Sequence, residues 1–390
     1  MRAVTRRVLI AGAIATSVGV ATAIPSLADH EAKLIQVSSA EDTSAIPGQY
    51  IVTLKRDTSV SAMAHRGRIA TLQRFGDALN GFAAKLSPAQ LDRLRRDPGV
   101  AAIEQDQIAT ISTEQTSPLP WGLDRIDQRG LPLSNSYTYS ARGTGVNAYV
   151  IDSGVYTAHT EFGGRAKVAY DALGGDGQDC NGHGTHVAGI IGSKTYGVAK
   201  NVNLWAVRTL DCDGSAPYST VISAVNWVRQ HARKPAVANM SLGGPKSDAL
   251  NTAVTNLSKS GVFIAVAAGN EGANACGSSP ASAGWVQAVG ATSSSDAHTS
   301  WSNYGGCVDI QAPGNAVLST YTGSPTATKT MSGTSMATPY VVGVAALYKS
   351  AKGDASFPTI QKWLNTNATP SKVKSLPSGT PNRFLFKSSL

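Results

Sequence analysis

Charge is scarce in this chain of 390 residues, because Asp, Glu, Lys and Arg make up only 15% of it. Ordinary globular proteins carry about 25%. Hydrophobic residues reach 42%, and this balance excludes a disordered chain, which combines few apolar residues with many charges. No run of about 20 apolar residues occurs after residue 30, which argues against a membrane-embedded protein. No five basic residues stand together although the net charge is +9. The densest groups are Arg93, Arg95 and Arg96, then Arg229, Arg233 and Lys234. Nucleic-acid recognition needs a concentrated basic patch, so no nucleic-acid partner is expected. The 39 glycines and 18 prolines are too few for a collagen-like chain. Cysteine is absent before Cys180, and the four present contain no C-x-x-C pair, which excludes the usual zinc-site spacing.

The charge is unevenly spread. Arg2, Arg6 and Arg7 stand alone in residues 1–28, residues 29–113 hold 10 basic and 10 acidic residues, and residues 114–390 hold 21 and 15. The first 28 residues have the form of an export signal: a basic start, an apolar stretch from Val8 to Ile24, and small residues at Ser26 and Ala28 before a cleavage point. The apolar stretch is short, rich in Ala and Gly, and ended by Pro25, so no membrane anchor is expected and secretion is. Export places the cysteines in an oxidising compartment, where disulfides are the expected state. Four cysteines admit three pairings. The sequential one closes loops of about 30 residues, each stabilising by roughly 3–4 kcal/mol in the chain-entropy description.

From Pro47 the pattern becomes that of a small α+β unit. Tyr50–Leu54, Gly81–Leu86 and the stretch from Val100 to Ile111 read as strands, and residues 59–75 as a helix. A second helix starts at Ser87-Pro88, with Ser as N-cap and Pro in the first turn, and stops at Asp97-Pro98-Gly99. Residues 112–120 read as a linker. Beyond it, Val146–Ile151, Leu204–Val207, Val237–Met240, Val262–Ala267 and Trp285–Val289 read as buried strands. Helical windows cover 185–193, 218–233, 247–260 and 335–350. This alternation predicts an α/β fold, a mostly parallel sheet with helices on both faces. Ligands of such sheets bind at the carboxyl ends of the strands.

Three short segments carry chemistry. Val150-Ile151-Asp152-Ser153-Gly154 sets a carboxylate at a strand end. Asn181-Gly182-His183-Gly184-Thr185-His186 sets two imidazoles at a helix start. Gly333-Thr334-Ser335-Met336-Ala337-Thr338-Pro339 sets a hydroxyl at another. A hydroxyl becomes a nucleophile at neutral pH only beside a base, and the base needs a carboxylate to fix its tautomer. Each segment alone reads equally well as a turn, a solvated loop or a helix cap. Together in one exported α/β chain they point to nucleophilic catalysis.

The three segments resemble the signature blocks of the subtilases, the subtilisin-like serine proteases, in the chain order Asp, His, Ser. The resemblance implies that Asp152 orients the imidazole, His183 is the general base and then acid, and Ser335 is the nucleophile. Val266-Ala267-Ala268-Gly269-Asn270 resembles the block that supplies the oxyanion donor, so Asn270 takes that role with the Ser335 backbone N–H. Residues 114–390 are similar to the proteinase K-type branch, from Trp121-Gly122-Leu123-Asp124 through all four cysteine positions. This implies the disulfides Cys180–Cys212 and Cys276–Cys307. Residues 47–111 resemble the inhibitor-type propeptide of the same family through Tyr50–Lys55 and Asn80–Leu86. A propeptide at 29–113 is thus expected to inhibit intramolecularly and to be cut near Thr113–Glu114, leaving a monomeric peptidase that acts on protein and peptide substrates.

Further residues carry over by position. Ser241, Leu242 and Gly243 match one wall of the primary specificity pocket, and Ala268 and Gly269 match the other. Gly214, Ser215 and Ala216 match the edge that pairs with an extended peptide. No acid stands among these residues, so an apolar or aromatic side chain is expected before the cut bond. Calcium is the expected cofactor. Asp124, Asp127 and Gln128 fall at i, i+3 and i+4, so that one helical turn presents three oxygens, with Ser134 joining them. The resemblance adds a second set at Gly284, Val286 and Asp309. Ser153 stands where Thr is commoner, Ala216 where Gly is frequent, and Tyr340-Val341-Val342 where His-Val-Ala is usual. A peptide-binding chain without activity is disfavoured by the intact set Asp152, His183, Asn270 and Ser335. An α/β-hydrolase esterase is disfavoured because G-x-S-x-G is absent.

Overall fold

A computed structural model describes residues 34–38, 45–110 and 120–390. The export signal and the expected cleavage region at 113–114 lie outside the described residues. The N-terminal part runs β1 (Val37–Ser38), β2 (Ala45–Leu54), α1 (Val60–Gly67), β3 (Thr71–Arg74), β4 (Gly81–Lys85), α2 (Pro88–Arg96) and β5 (Val100–Thr110). Its strands pair in the order β1-β5-β2-β4-β3. The start of α2 is set by a capping box: the Gln90 N–H donates to Ser87 Oγ (3.3 Å) and the Ser87 N–H to Gln90 Oε1 (3.0 Å). The expected helix over 59–75 stops at Gly67. Arg68 turns left-handed (φ 50°), and Thr71–Arg74 then pairs antiparallel with β4, exposing alternate residues as an edge strand does.

The larger part contains α3 (Trp121–Asp127), β6 (Asn147–Asp152), β7 (Ala166–Asp171), α4 (His183–Gly192), β8 (Asn203–Arg208), β9 (Ser215–Pro217), α5 (Tyr218–His231), β10 (Ala236–Met240), β11 (Gly244–Pro245), α6 (Asp248–Lys259) and β12 (Phe263–Ala267). It continues with β13 (Ser278–Ser279), β14 (Gln287–Thr292), β15 (Ile310–Pro313), β16 (Val317–Thr320), β17 (Thr328–Met331), α7 (Thr334–Lys352), α8 (Phe357–Asn367), β18 (Thr369–Pro370) and β19 (Arg383–Phe384). The main sheet has the order β18-β19-β15-β14-β12-β10-β6-β8-β7 and is parallel except for the β18–β19 pair. Alternate residues of β6 serve opposite faces. Ala148 and Val150 join the core under α4 and α7, and Tyr149 and Ile151 join the core under α5 and α6. Every residue of β6, β10, β12 and β14 is buried, which is why these strands read as short apolar runs. Several expected boundaries shift by a few residues: the strand expected at Trp285 begins at Gln287, the helix expected at 185 begins at His183, and the helix expected to end at 233 ends at His231.

The N-terminal sheet turns one face to its own helices, burying Val52, Met63, Phe82, Leu94 and Ile103. Ile51, Phe75, Leu79 and Ala83 belong instead to the core shared with α5 and α6. Two carboxylates of β5 meet the free N–H groups at the starts of those helices. Asp106 Oδ1 accepts from Ser219 N (3.1 Å), and Glu104 accepts from Asp248 N (3.1 Å) and Ala249 N (2.5 Å). Helix starts favour such anions through their unpaired donors and dipole. Beyond them, β5 pairs antiparallel with β9, with Ile108 opposite Pro217 and Thr110 opposite Ser215.

Burial raises the Asp106 carboxyl, and raises Glu104 from 4.5 to about 7, more than their hydrogen bonds lower them. An acid whose pKa is higher docked than free binds protons more tightly when docked. Docking is therefore strongest below about pH 4.5 and weakens as the pH rises toward about 7. Hydrogen exchange of residues 45–110 in the intact chain should accelerate over this window beyond the intrinsic pH effect, by up to about 10²-fold. Glu104→Gln should flatten most of the change.

Candidate active site

The site is built where the carboxyl ends of β6, β10 and β12 meet the starts of α4 and α7. Asp152 ends β6, and its Oδ1 accepts from its neighbour Ser153 N (2.8 Å) and from His183 Nδ1–H (2.7 Å). Both side chains are fully buried. His183 opens α4, and the preceding Gly182 holds φ 104°, a conformation that suits glycine. At Gly184 a Cβ would lie 2.1 Å from the Gly154 carbonyl oxygen, so only glycine lets the helix start approach the strand end this closely. His183 Nε2 has no hydrogen-bond partner.

Ser335 lies in the first turn of α7. Its hydroxyl donates to the Ser241 carbonyl (3.1 Å) rather than to His183. Ser241 Oγ in turn donates to the Ser335 carbonyl (2.8 Å). That carbonyl is available because its helical partner four residues on is Pro339, which has no N–H. Asn270 follows β12, and its Oδ1 accepts from Thr334 N (2.8 Å) and Thr334 Oγ1 (3.0 Å). With its oxygen held, the Asn270 amide keeps its N–H₂ as the free donor. Asn270 and Ser335 both line a cavity of about 610 Å³, together with Leu242, Gly243, Ala268 and Gly269.

Ser215 and Ala216 lie in β9 and are already paired with β5, and Gly214 precedes them at φ 78°. Ile108 of β5 also reaches the cavity wall. Sequence reasoning expected no acid at this cavity, yet Glu271 lines it, its carboxylate accepting from Asn303 Nδ2 (2.8 Å). The one available signal was its place directly after Asn270. His186 stands apart from Asp152. Its Nε2–H is shared by the carbonyls of Val317 and Lys329 (3.1 and 2.9 Å), and burial drops its pKa to about 3, so it stays neutral.

The cysteines form Cys180–Cys212 and Cys276–Cys307. The first ties the loop before α4 to the loop before β9. The first calcium set divides. Helix α3 ends at Asp127 and Gln128 is extended (φ −133°, ψ 158°), so one helical turn does not present three oxygens. Asp124 Oδ1 and Gln128 Oε1 meet at the Ser134 N–H, 3.1 and 3.0 Å away. Asp127 turns instead to Thr138 and to the ammonium of Lys387 (2.9 Å), which already compensates its charge. In the second set, Asp309 Oδ2 accepts from Ala288 N (2.8 Å), and burial raises its pKa to about 6. A carboxylate so short of donors fits a cation. Among the described residues, no three His, Cys, Asp or Glu side chains converge as a metal cluster, so either set relies on carbonyl, amide and hydroxyl oxygens.

Comparison with known proteins places this geometry. Residues 143–384 match the subtilase family, and residues 49–112 match the peptidase inhibitor I9 family. The chain is 46% identical over 389 residues to an extracellular serine proteinase of Thermus sp. (strain Rt41A), covering 93% of this chain and 94% of that protein. It is 46% identical over 371 residues to alkaline serine exoprotease A of Vibrio alginolyticus, covering 89% and 68%. The crystal structure of a cold adapted subtilisin-like serine proteinase superposes with a TM-score of 0.67 at 51% identity, covering 69% of this chain and 98% of that one. Fervidolysin from Fervidobacterium pennivorans shares the fold, with a TM-score of 0.76 at 20% identity over 92% of this chain and 63% of that one.

Proposed function

The chain belongs to the subtilase family and is a subtilisin-like serine protease, and we propose that it is a secreted endopeptidase made as an autoprocessed zymogen. Secretion is supported by the export-type start of the sequence and by extracellular relatives. The division into signal (1–28), propeptide (29–113) and peptidase (114–390) is supported by the inhibitor match over 49–112. No helix among the described residues is long and apolar enough to cross a membrane.

The observation that carries the reading is the buried 2.7 Å contact of Asp152 with His183, whose Nε2 is left free. Rotation of the Ser335 hydroxyl from the Ser241 carbonyl toward that nitrogen gives the nucleophile its base. Ser335 Oγ attacks the peptide carbonyl carbon while His183 Nε2 takes its proton. Negative charge collects on the carbonyl oxygen, where the Asn270 amide and the Ser335 N–H donate. His183 then protonates the leaving amine, and an acyl ester remains on Ser335. Water, deprotonated by His183, cleaves the ester and frees the enzyme. Asp152 holds the Nδ1–H tautomer throughout and stabilises the transient imidazolium.

Before maturation the N-terminal segment fills the substrate edge, because β5 occupies β9 as an extended peptide would. The expected substrates are therefore extended protein segments. Leu242, Ala267, Ala268 and the cavity glycines favour an apolar or aromatic side chain before the cut bond. Glu271 at the same cavity opposes an acidic one. Calcium fits the oxygens of Asp124, Gln128 and Ser134, and Asp309 would hold it together with the carbonyls of Gly284 and Val286 that the family resemblance implies. When bound it neutralises carboxylates and fastens the chain, with no part in acyl transfer.

Ser335→Ala should leave a folded precursor uncut near residue 113, read by mass spectrometry, and normal processing without added protease would refute autoprocessing. Asn270→Ala should lower kcat by about 10²–10³-fold at nearly constant KM, since its donor acts only on the oxyanion.

A panel of peptide anilides differing only before the cut bond should show Phe and Leu well ahead of Asp, with Glu271→Gln raising the Asp rate.

A chelator should shorten the half-life on heating and leave initial turnover in the cold unchanged. A site filled at 100 times its Kd contributes about 2.7 kcal/mol to the native state. Asp309→Ala should reproduce part of this loss, and a half-life indifferent to chelator would remove the stabilising role.

A further inference from the structure

Beside the Asp152–His183 pair lies a second buried carboxylate, Asp179, for which the chemistry above has no use. Its two oxygens accept five hydrogen bonds. Oδ1 receives Ser153 Oγ–H (2.9 Å), Asn181 N–H (3.0 Å) and Gly182 N–H (2.8 Å). Oδ2 receives Thr185 N–H (2.8 Å) and Thr185 Oγ1–H (2.6 Å). All but the first of these come from the loop and first turn that carry His183. Helix α4 has no side-chain cap at its own N-cap, because that residue is Gly182. Asp179 therefore stands in as its cap from outside the helix, where an anion is favoured.

The remaining bond leads to the other half of the pair. Ser153 follows Asp152 directly, its N–H bonds Asp152 Oδ1 (2.8 Å), and its hydroxyl also accepts from Gly184 N (3.0 Å). The Ser153 hydroxyl is thus fully used, as donor to Asp179 and as acceptor from α4. We infer that Asp179 and Ser153 are positioning residues that lock the start of α4 to the end of β6 and so set the Asp152–His183 geometry. Neither touches substrate. The inference rests on the reading of Asp152 and His183 as members of the catalytic triad.

The hydroxyl also accounts for a residue type that stood out in the sequence. Ser in place of Thr after Asp152 keeps both hydrogen bonds and loses only a methyl group. Ser153→Thr should therefore work where Ser153→Ala does not. Asp179→Asn should be the more severe change, because an amide cannot accept from all five donors and its N–H₂ meets donors head-on.

The test measures kcat and KM on a chromogenic peptide anilide, with the propeptide removed by added protease where a variant does not cut itself, for the parent, Ser153→Ala, Ser153→Thr, Asp179→Asn, Asp152→Ala and His183→Ala. It adds the low-field proton resonance of the His183 Nδ1–H donated to Asp152, and the thermal midpoint of each variant. A misplacement of the order of an ångström at a reacting pair costs about 10²-fold. The expected result is a kcat fall of about tenfold in Ser153→Ala and about 10²-fold in Asp179→Asn, at nearly constant KM, with the proton resonance shifted or lost. Ser153→Thr should recover the parental rate and resonance. Should Asp179→Asn fail to fold, the Ser153 pair alone decides. Parental kcat and an unchanged resonance in Ser153→Ala overturn the proposal, as does failure of Ser153→Thr to recover what Ser153→Ala loses. Parental rates in Asp152→Ala and His183→Ala would overturn the triad reading itself, and this proposal with it.

Discussion

The close approach of two backbones, the first turn of α4 and the end of β6, is the constraint on which the rest of the site depends. It requires glycine at 184, where a Cβ would meet the Gly154 carbonyl at 2.1 Å. Only with the backbones this near can a short aspartate reach an imidazole across 2.7 Å while both stay fully buried. Burial of a carboxylate is costly unless it is hydrogen-bonded, and the two donors to Asp152 Oδ1 come from the two elements being joined, while Oδ2 has no partner. The parallel sheet adds the rest. Because β6, β10 and β12 run the same way, their carboxyl ends deliver Asp152, Ser241 and Asn270 to one side.

The N-terminal segment acts on the same framework from the opposite face of the sheet. Helices α5 and α6 belong to the crossovers that lead into β10 and β12, and each begins against a carboxylate of β5. Helix α5 begins after Pro217 and has no side-chain cap of its own, so Asp106 supplies a partner that the peptidase part lacks. Parallel sheets close through long loops and assemble slowly. A small sheet that binds both helix starts and also pairs with β9 holds two crossovers and the substrate edge in their final relation. In the proposed zymogen, inhibition and assistance to folding would both follow from one set of contacts, because the strand that carries Glu104 and Asp106 is the strand that continues along β9.

The four residues proposed for the chemistry, Asp152, His183, Asn270 and Ser335, each sit in a short block at an element end, and such blocks stand out in a sequence. The buried parallel strands were legible as apolar runs because both faces are covered and most of their residues are apolar. What escaped depended on contacts distant in sequence. The helix expected over 59–75 breaks because Thr71–Arg74 finds a partner in β4. The oxygen set around Asp124 loses Asp127 because Lys387, near the far end of the chain, reaches it. Glu271 enters the cavity by the path of the loop after β12, which no local spacing encodes. Asp179 lies in the polar stretch before α4, and its five donors come together only once α4 and β6 are side by side.

Pro339 shows how a local irregularity can serve the site. A proline inside a helix removes one backbone hydrogen bond and leaves the carbonyl four residues earlier without a partner. In α7 that carbonyl belongs to Ser335, and Ser241 Oγ takes the vacant place at 2.8 Å. Ser241 directly follows β10, the strand beside β6. Its own carbonyl accepts the Ser335 hydroxyl, so two hydrogen bonds link nucleophile and sheet. Ser335, the proposed nucleophile, is thereby tied to the same sheet that carries Asp152, rather than to its own helix alone. The register between Ser335 and the Asp152–His183 pair is then set by the neighbouring parallel strands β6 and β10. Only the Ser335 hydroxyl remains to be moved, by one side-chain rotation, when a substrate arrives.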